Sequence, residues 1–196
     1  MATITASRNV TTSQTSIIQR LFTDPRAALL WLPLRVWLGL QWFDAGSHKL
    51  TDAAWMNGGV ALKGFWERAV TIPENGRPPI AFDWYRSFIQ TLLDAEAYTW
   101  FAKLVAVGET LIGIALIAGA LVGVAAFFGA FMNWNFMMAG SASTNPLLFV
   151  IGIALLLAWR VSGYIGVDYL VFNWRRIRDW VVSRRGNMQD SAPSGA

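Results

Sequence analysis

Residues 104–140 read LVAVGETLIGIALIAGALVGVAAFFGAFMNWNFMMAG, and Glu109 is the one charge among these 37 residues. A bilayer core needs about 20 helical residues. At ~1.5 Å per residue a single helix of this run would be roughly 55 Å long and would push apolar sides into water. The run must therefore fold back on itself. Residues 119–123, with a glycine at each end, are the natural turn. This predicts one helix over about 100–121 and a second over about 123–139.

The rest of the chain fits the same solvent. Of the 196 residues, 55% are hydrophobic and 14% charged, with 11 Trp and 12 Phe. Soluble domains carry about a quarter charged residues. Trp beside apolar runs suits the membrane–water interface, which accepts both the ring and its N–H. The basic residues cluster at the ends of apolar runs, which reads as orientation signal or anionic-lipid contact and not as nucleic-acid binding. With no Cys and one His, the chain offers no disulfide, thiolate or multi-His metal site.

Another apolar run, over 27–46, begins after Pro25, contains Pro33, and carries Arg35, Gln41 and Asp44. After the polar turn 141–146, a fourth helix is expected over 147–164. Beyond Asp168, residues Leu170, Trp174, Ile177 and Val181 fall on one helical face, with Arg175, Arg176 and Arg178 off it. This is the pattern of an amphipathic helix lying on a membrane surface. Arg8, Arg20 and Arg26 flank the first span and five arginines follow the last, whereas the loop 47–97 balances its basic residues with six acids. The positive-inside rule then places both termini in the cytoplasm.

The expected fold is an all-α membrane protein: a four-transmembrane-helix bundle in the cell inner (plasma) membrane. A cytoplasmic tail spans 1–26, the transmembrane domain 27–172, and the surface helix with its tail 173–196. The aromatic loop 47–97 would form an extracytoplasmic helical cap, with helices over 53–69 and 83–94 separated by a turn-rich stretch, 72–79.

Polar groups at membrane depth are costly and point to function. Counting from the outer rim, Glu109 lies ~13 Å deep and Arg35 ~16 Å deep. Asn133 and Asn135 come to a similar level, and His48 and Lys49 sit at the rim. One reading is a pocket in which Arg35, Lys49, Asn133 and Asn135 bind a quinone head or an anion, and Trp42, Trp134 and Phe136 give apolar walls. Glu109 and His48 would then move protons. The plainer reading pairs Arg35 with Glu109, has the asparagines bonding between helices, and leaves His48 interfacial. Asp168 reads as the N-cap of the surface helix.

Three stretches carry a family likeness. Residues 34–49 place Arg35, Gly39, Trp42, Gly46 and Lys49 in order along the first helix. Gly108-Glu109 opens a Gly-spaced apolar stretch, and Gly163-Tyr164-Ile165-Gly166-Val167-Asp168 forms a closing Gly-rich turn. Over about 29–168 the chain resembles the DoxX/DoxD-like membrane proteins, the long aromatic loop favouring the DoxD-like branch. Tyr164 departs from the Arg frequent there. The resemblance implies a membrane subunit of thiosulfate:quinone oxidoreductase, with quinone as substrate, no metal or covalent cofactor, and an outer DoxA-like partner. It makes Arg35, His48, Lys49 and Glu109 the first candidates for the site. The alternative is a non-catalytic accessory or scaffold subunit of a larger respiratory or photosynthetic complex.

Overall fold

The computed structural model describes residues 17–173. The expected tail over 1–16 and the greater part of the expected surface helix lie outside them. Every regular element among the described residues is helical. Besides a short 3-10 helix, Pro25–Ala27, these are in chain order α1 (Ile17–Thr23), α2 (Ala28–Thr51), α3 (Ala53–Met56), α4 (Val60–Val70), α5 (Asp83–Asp94) and α6 (Tyr98–Ala118). There follow α7 (Val122–Met138), α8 (Asn145–Leu157), α9 (Trp159–Ser162) and α10 (Val167–Phe172).

Helices α2, α6, α7 and α8 pack in a ring, each against the next. Small residues let them approach. A Cβ on Gly113 of α6 would strike the backbone of Phe43, and one on Gly39 of α2 would lie 2.9 Å from the backbone nitrogen of Ile117. Gly46 sits in the same way on Thr110. Backbone-to-backbone packing of this kind is the usual basis of helix association where apolar side chains gain nothing by leaving an apolar solvent. Leu38, Leu116, Val122 and Leu155, all buried, fill the centre. Helix α6 is long and apolar enough to cross a membrane, while α7 and α8 are apolar but shorter, at 17 and 13 residues.

A second core lies over one end of the ring. Leu62, Trp66, Ile80, Tyr85 and Ile89 close around Ala102 and Ala139, which belong to the ends of α6 and α7. Helix α5 matches the expected 83–94. The expected helix 53–69 is divided by Asn57-Gly58-Gly59, where both glycines take positive φ, 85° and 68°. Gly59 also presses on the Tyr98 carbonyl, leaving no room for a side chain. The first helix runs five residues past the expected end, to Thr51, capped where Asp52 accepts from Ala54 N–H instead of continuing the helix. The expected fourth helix breaks at Ala158, and α9 then carries the Ser162 carbonyl to the interior.

Candidate functional site

The buried polar residues do not meet in one pocket. Helices α2 and α6 run antiparallel in a register fixed by Gly46 on Thr110, Phe43 on Gly113 and Gly39 on Ile117. Extended one step, this register brings Arg35 to Gly119, whose Cβ position is 2.6 Å from the guanidinium. Ten helical residues, about 15 Å, separate that level from Glu109. The expected Arg35–Glu109 pairing is therefore corrected: the equal depths need Gly46 level with Trp100, and Gly46 instead packs on Thr110, ten residues farther along α6.

Each charge has another partner. Lys49 Nζ donates to Glu109 Oε2 at 2.6 Å, and Glu109 is 1% exposed. Lys49 also lies over the Trp55 ring, 5.1 Å from its centroid. Arg35 Nη1 donates to the Ser162 carbonyl at 2.5 Å. Asp168 stands near this guanidinium and accepts from the N–H groups of Leu121 and Val122 at 2.6 and 2.9 Å. Asp168 thus caps the start of α7 and not the helix that follows it, where Gly166 is the N-cap residue. Gly119 and Gly166 touch backbone to backbone beside it. This inner centre ties α2, the α6–α7 turn and α9–α10 together.

The two asparagines part company, as residues two apart on a helix must. Asn133 is 1% exposed and points inward, and neither its amide oxygen nor its nitrogen has a protein partner. Trp42 packs by its indole nitrogen on Gly129, one turn along α7 from Asn133, and that nitrogen is also unpartnered. Because Gly129 also meets Ile112, Asn133 lies near the level of Glu109. Asn135 faces the other way. Its Oδ1 and its carbonyl each accept from the Tyr85 hydroxyl at 3.1 Å, and its amide nitrogen donates to the Phe131 carbonyl at 2.8 Å.

His48 is exposed on the far side of α2. Its Nδ1 meets the Asp44 carbonyl at 2.8 Å and the Asp44 carboxylate at 3.4 Å. It does not face Glu109. Trp134 is on the outside of α7, stacked on Phe131 with centroids 6.2 Å apart.

What α6 and α7 do form is a groove of about 550 Å³, floored by Ile112 and Ala125. Phe65, Trp66 and Phe88 of the cap overhang one end, and Leu121 and Val124 bound the other. From Asn135 to Leu121 is fourteen residues, about 20 Å along the helix. Among the described residues, Tyr85 and Asn135 bring the only oxygen-bearing side chains to its wall. Tyr85 is 3% exposed, and burial pushes its hydroxyl up to about 12, so it stays a donor through the neutral range. Of the residues expected in the site, Asn135 and Phe136 line this groove; Arg35, Trp42, His48, Lys49, Glu109, Asn133 and Trp134 do not. Tyr85 escaped the sequence reading because a tyrosine in an aromatic loop looks like an interface anchor. Its spacing from Phe88 and Ile89 on one face of α5 was the available signal.

No protein-family model, curated protein or solved structure matches this chain.

Proposed function

We propose that this chain is a multi-span membrane subunit of a quinone-linked oxidoreductase. It holds the quinone's isoprenoid tail between α6 and α7 and the ring under the cap, beside Tyr85 and Asn135. The observation that carries this reading is the long apolar groove with one hydroxyl and one amide at its capped end. Ligand sites of this class combine mostly apolar walls with a few fixed polar groups. A quinone carbonyl accepts hydrogen bonds, and the buried, protonated Tyr85 hydroxyl would donate to it by turning from the Asn135 oxygens that it meets. In this arrangement α2, α6, α7 and α8 cross the membrane, with the cap outside and both termini in the cytoplasm.

The donor side of the reaction belongs to the partner. Lys49 and Arg35, the cations expected to receive an anion, are engaged with Glu109 and with Ser162 and Asp168. In the thiosulfate:quinone reading, two thiosulfates give up two electrons to become tetrathionate, and the quinone takes those electrons with two protons. A DoxA-like subunit docked on the cap would bind the sulfur anion. A second reading, that of an accessory or scaffold subunit, is favoured by the inward burial of Arg35 and Glu109, which leaves the groove without a carboxylate.

The test is binding of a short-chain ubiquinone to the purified protein in nanodiscs, read by quenching of Trp fluorescence; Trp66 lines the groove. Ala115 of α6 also lines the groove, and Ala115→Phe, which would fill it, is expected to weaken binding at least tenfold. Tyr85→Phe should weaken it about fivefold, the worth of one hydrogen bond of ~1 kcal/mol. Wild-type binding should be flat across neutral and mildly alkaline pH. Equal quenching in wild type and Ala115→Phe would move the conclusion to the accessory reading.

A further inference from the structure

Helix α2 buries one face and leaves another open along its length. Trp31, Arg35, Leu38, Trp42 and Gly46 face the ring, where α6, α8 and α9 pack on them. Beside them, about 100° around the helix, Leu30, Leu34, Trp37, Gln41, Asp44 and His48 are all exposed. Their spacing alternates four and three residues, the period of a helix–helix seam. The inner half of this stripe is apolar and the outer half polar. No hydrogen bond joins the Gln41 amide to a described residue, while the Asp44 and His48 side chains are about three-quarters exposed and, among the described residues, meet only each other and the Asp44 carbonyl.

In a bilayer this face cannot be left to lipid. Gln41 lies ten residues, about 15 Å, inward of the end of α2 at Thr51, which is close to the midplane. A carboxamide there demands a polar partner. We propose that the partner is a second copy of this chain, the two α2 helices lying parallel with Gln41 against Gln41.

Polar complementarity identifies the occupant. Copies inserted by the same route share one orientation, so a two-fold axis along the membrane normal sets each stripe residue at the depth of its own counterpart. A carboxamide is both donor and acceptor and so satisfies its twin. The same axis sets Asp44 beside Asp44 and His48 beside His48, and each carboxylate keeps the imidazole one turn along its own helix as partner. Polar residues confined to one half of a seam also fix its register.

This inference rests on the proposed membrane crossing of α2, and the experiment separates the two. The chain has no Cys, so single-cysteine variants report one position each. Membranes carrying Leu34→Cys, Gln41→Cys, Val107→Cys or Val150→Cys are first washed with alkaline carbonate; release of the chain would overturn the crossing itself. Retained membranes are then oxidised. The expected result is a disulfide-linked dimer of twice the chain mass from Leu34→Cys and Gln41→Cys and none from the other two, which sit on the exposed faces of α6 and α8. In nanodiscs, Gln41→Leu should weaken dimerisation about fivefold with helix content unchanged. Absence of the dimer at both stripe positions, equal cross-linking at all four, or a product of other mass would each overturn the proposal.

Discussion

Lys49 and Glu109 show how a buried pair constrains its own replacement. The carboxylate is almost wholly enclosed and the ammonium mostly so, joined at 2.6 Å. Taking either away strands the other in a medium of low dielectric, which costs about 3–5 kcal/mol, whereas replacing both with neutral groups of similar volume is close to neutral. Lys49→Met is therefore expected to lower stability in detergent by roughly 3 kcal/mol, and Lys49→Met with Glu109→Gln to recover most of the loss. A thermal-unfolding cycle over the four proteins measures this. If the double variant is as unstable as the sum of the singles, the two side chains do not act as a pair. At this scale the sequence told which residues are buried and polar, but not which meet. Lys49 looked like a rim residue because the first helix appeared to stop at Gly46. Arg35 and Glu109 look level only if Gly46 stands beside Trp100. The packing of Gly46 on Thr110, invisible in composition, decides the pairing. Asp168 likewise announced itself as a cap, yet the helix it caps starts 46 residues earlier.

Among the elements, the α2–α6 contact is the tightest that side chains permit. Gly113 meets the backbone of Phe43, so an added methyl has no flexible neighbour to displace. Gly113→Ala is expected to cost about 2 kcal/mol or more by forcing the helices apart. Gly64→Ala is the matched control: the nearest atom to its Cβ position is the flexible tip of Arg68, 3.4 Å away. There the better helix former should stabilise α4 by up to ~1 kcal/mol. Thermal denaturation of both variants checks the contrast, and equal melting temperatures would deny the close approach a role. Helix positions were largely legible, because a 37-residue apolar run has few ways to fold. Asn57-Gly58-Gly59 is a local signal for the break, masked in the sequence by the longer amphipathic pattern around it. The division at Ala158 has no such local signal; it is set by where the Ser162 carbonyl meets Arg35.

For the whole molecule, the cap closes one end of the ring while α1, α9 and the α6–α7 turn lie at the other. If the ring spans a bilayer, Arg77→Cys in the exposed cap turn should react with an impermeant maleimide on intact cells, and Thr23→Cys only after permeabilisation. Labelling of both from the same side would sink the proposed two-sided arrangement. The groove was not legible in the sequence at all, since it is a space between α6 and α7 lined by residues that, one by one, look like ordinary apolar packing. The inner turn carries a consequence for biosynthesis. Its two N–H groups, on Leu121 and Val122, are satisfied by a carboxylate on Asp168. Synthesis reaches that carboxylate only 46 residues after Val122. A ribosome therefore delivers the α6–α7 hairpin with its hinge unlatched, and the latch arrives only after the last helix of the ring has left the tunnel.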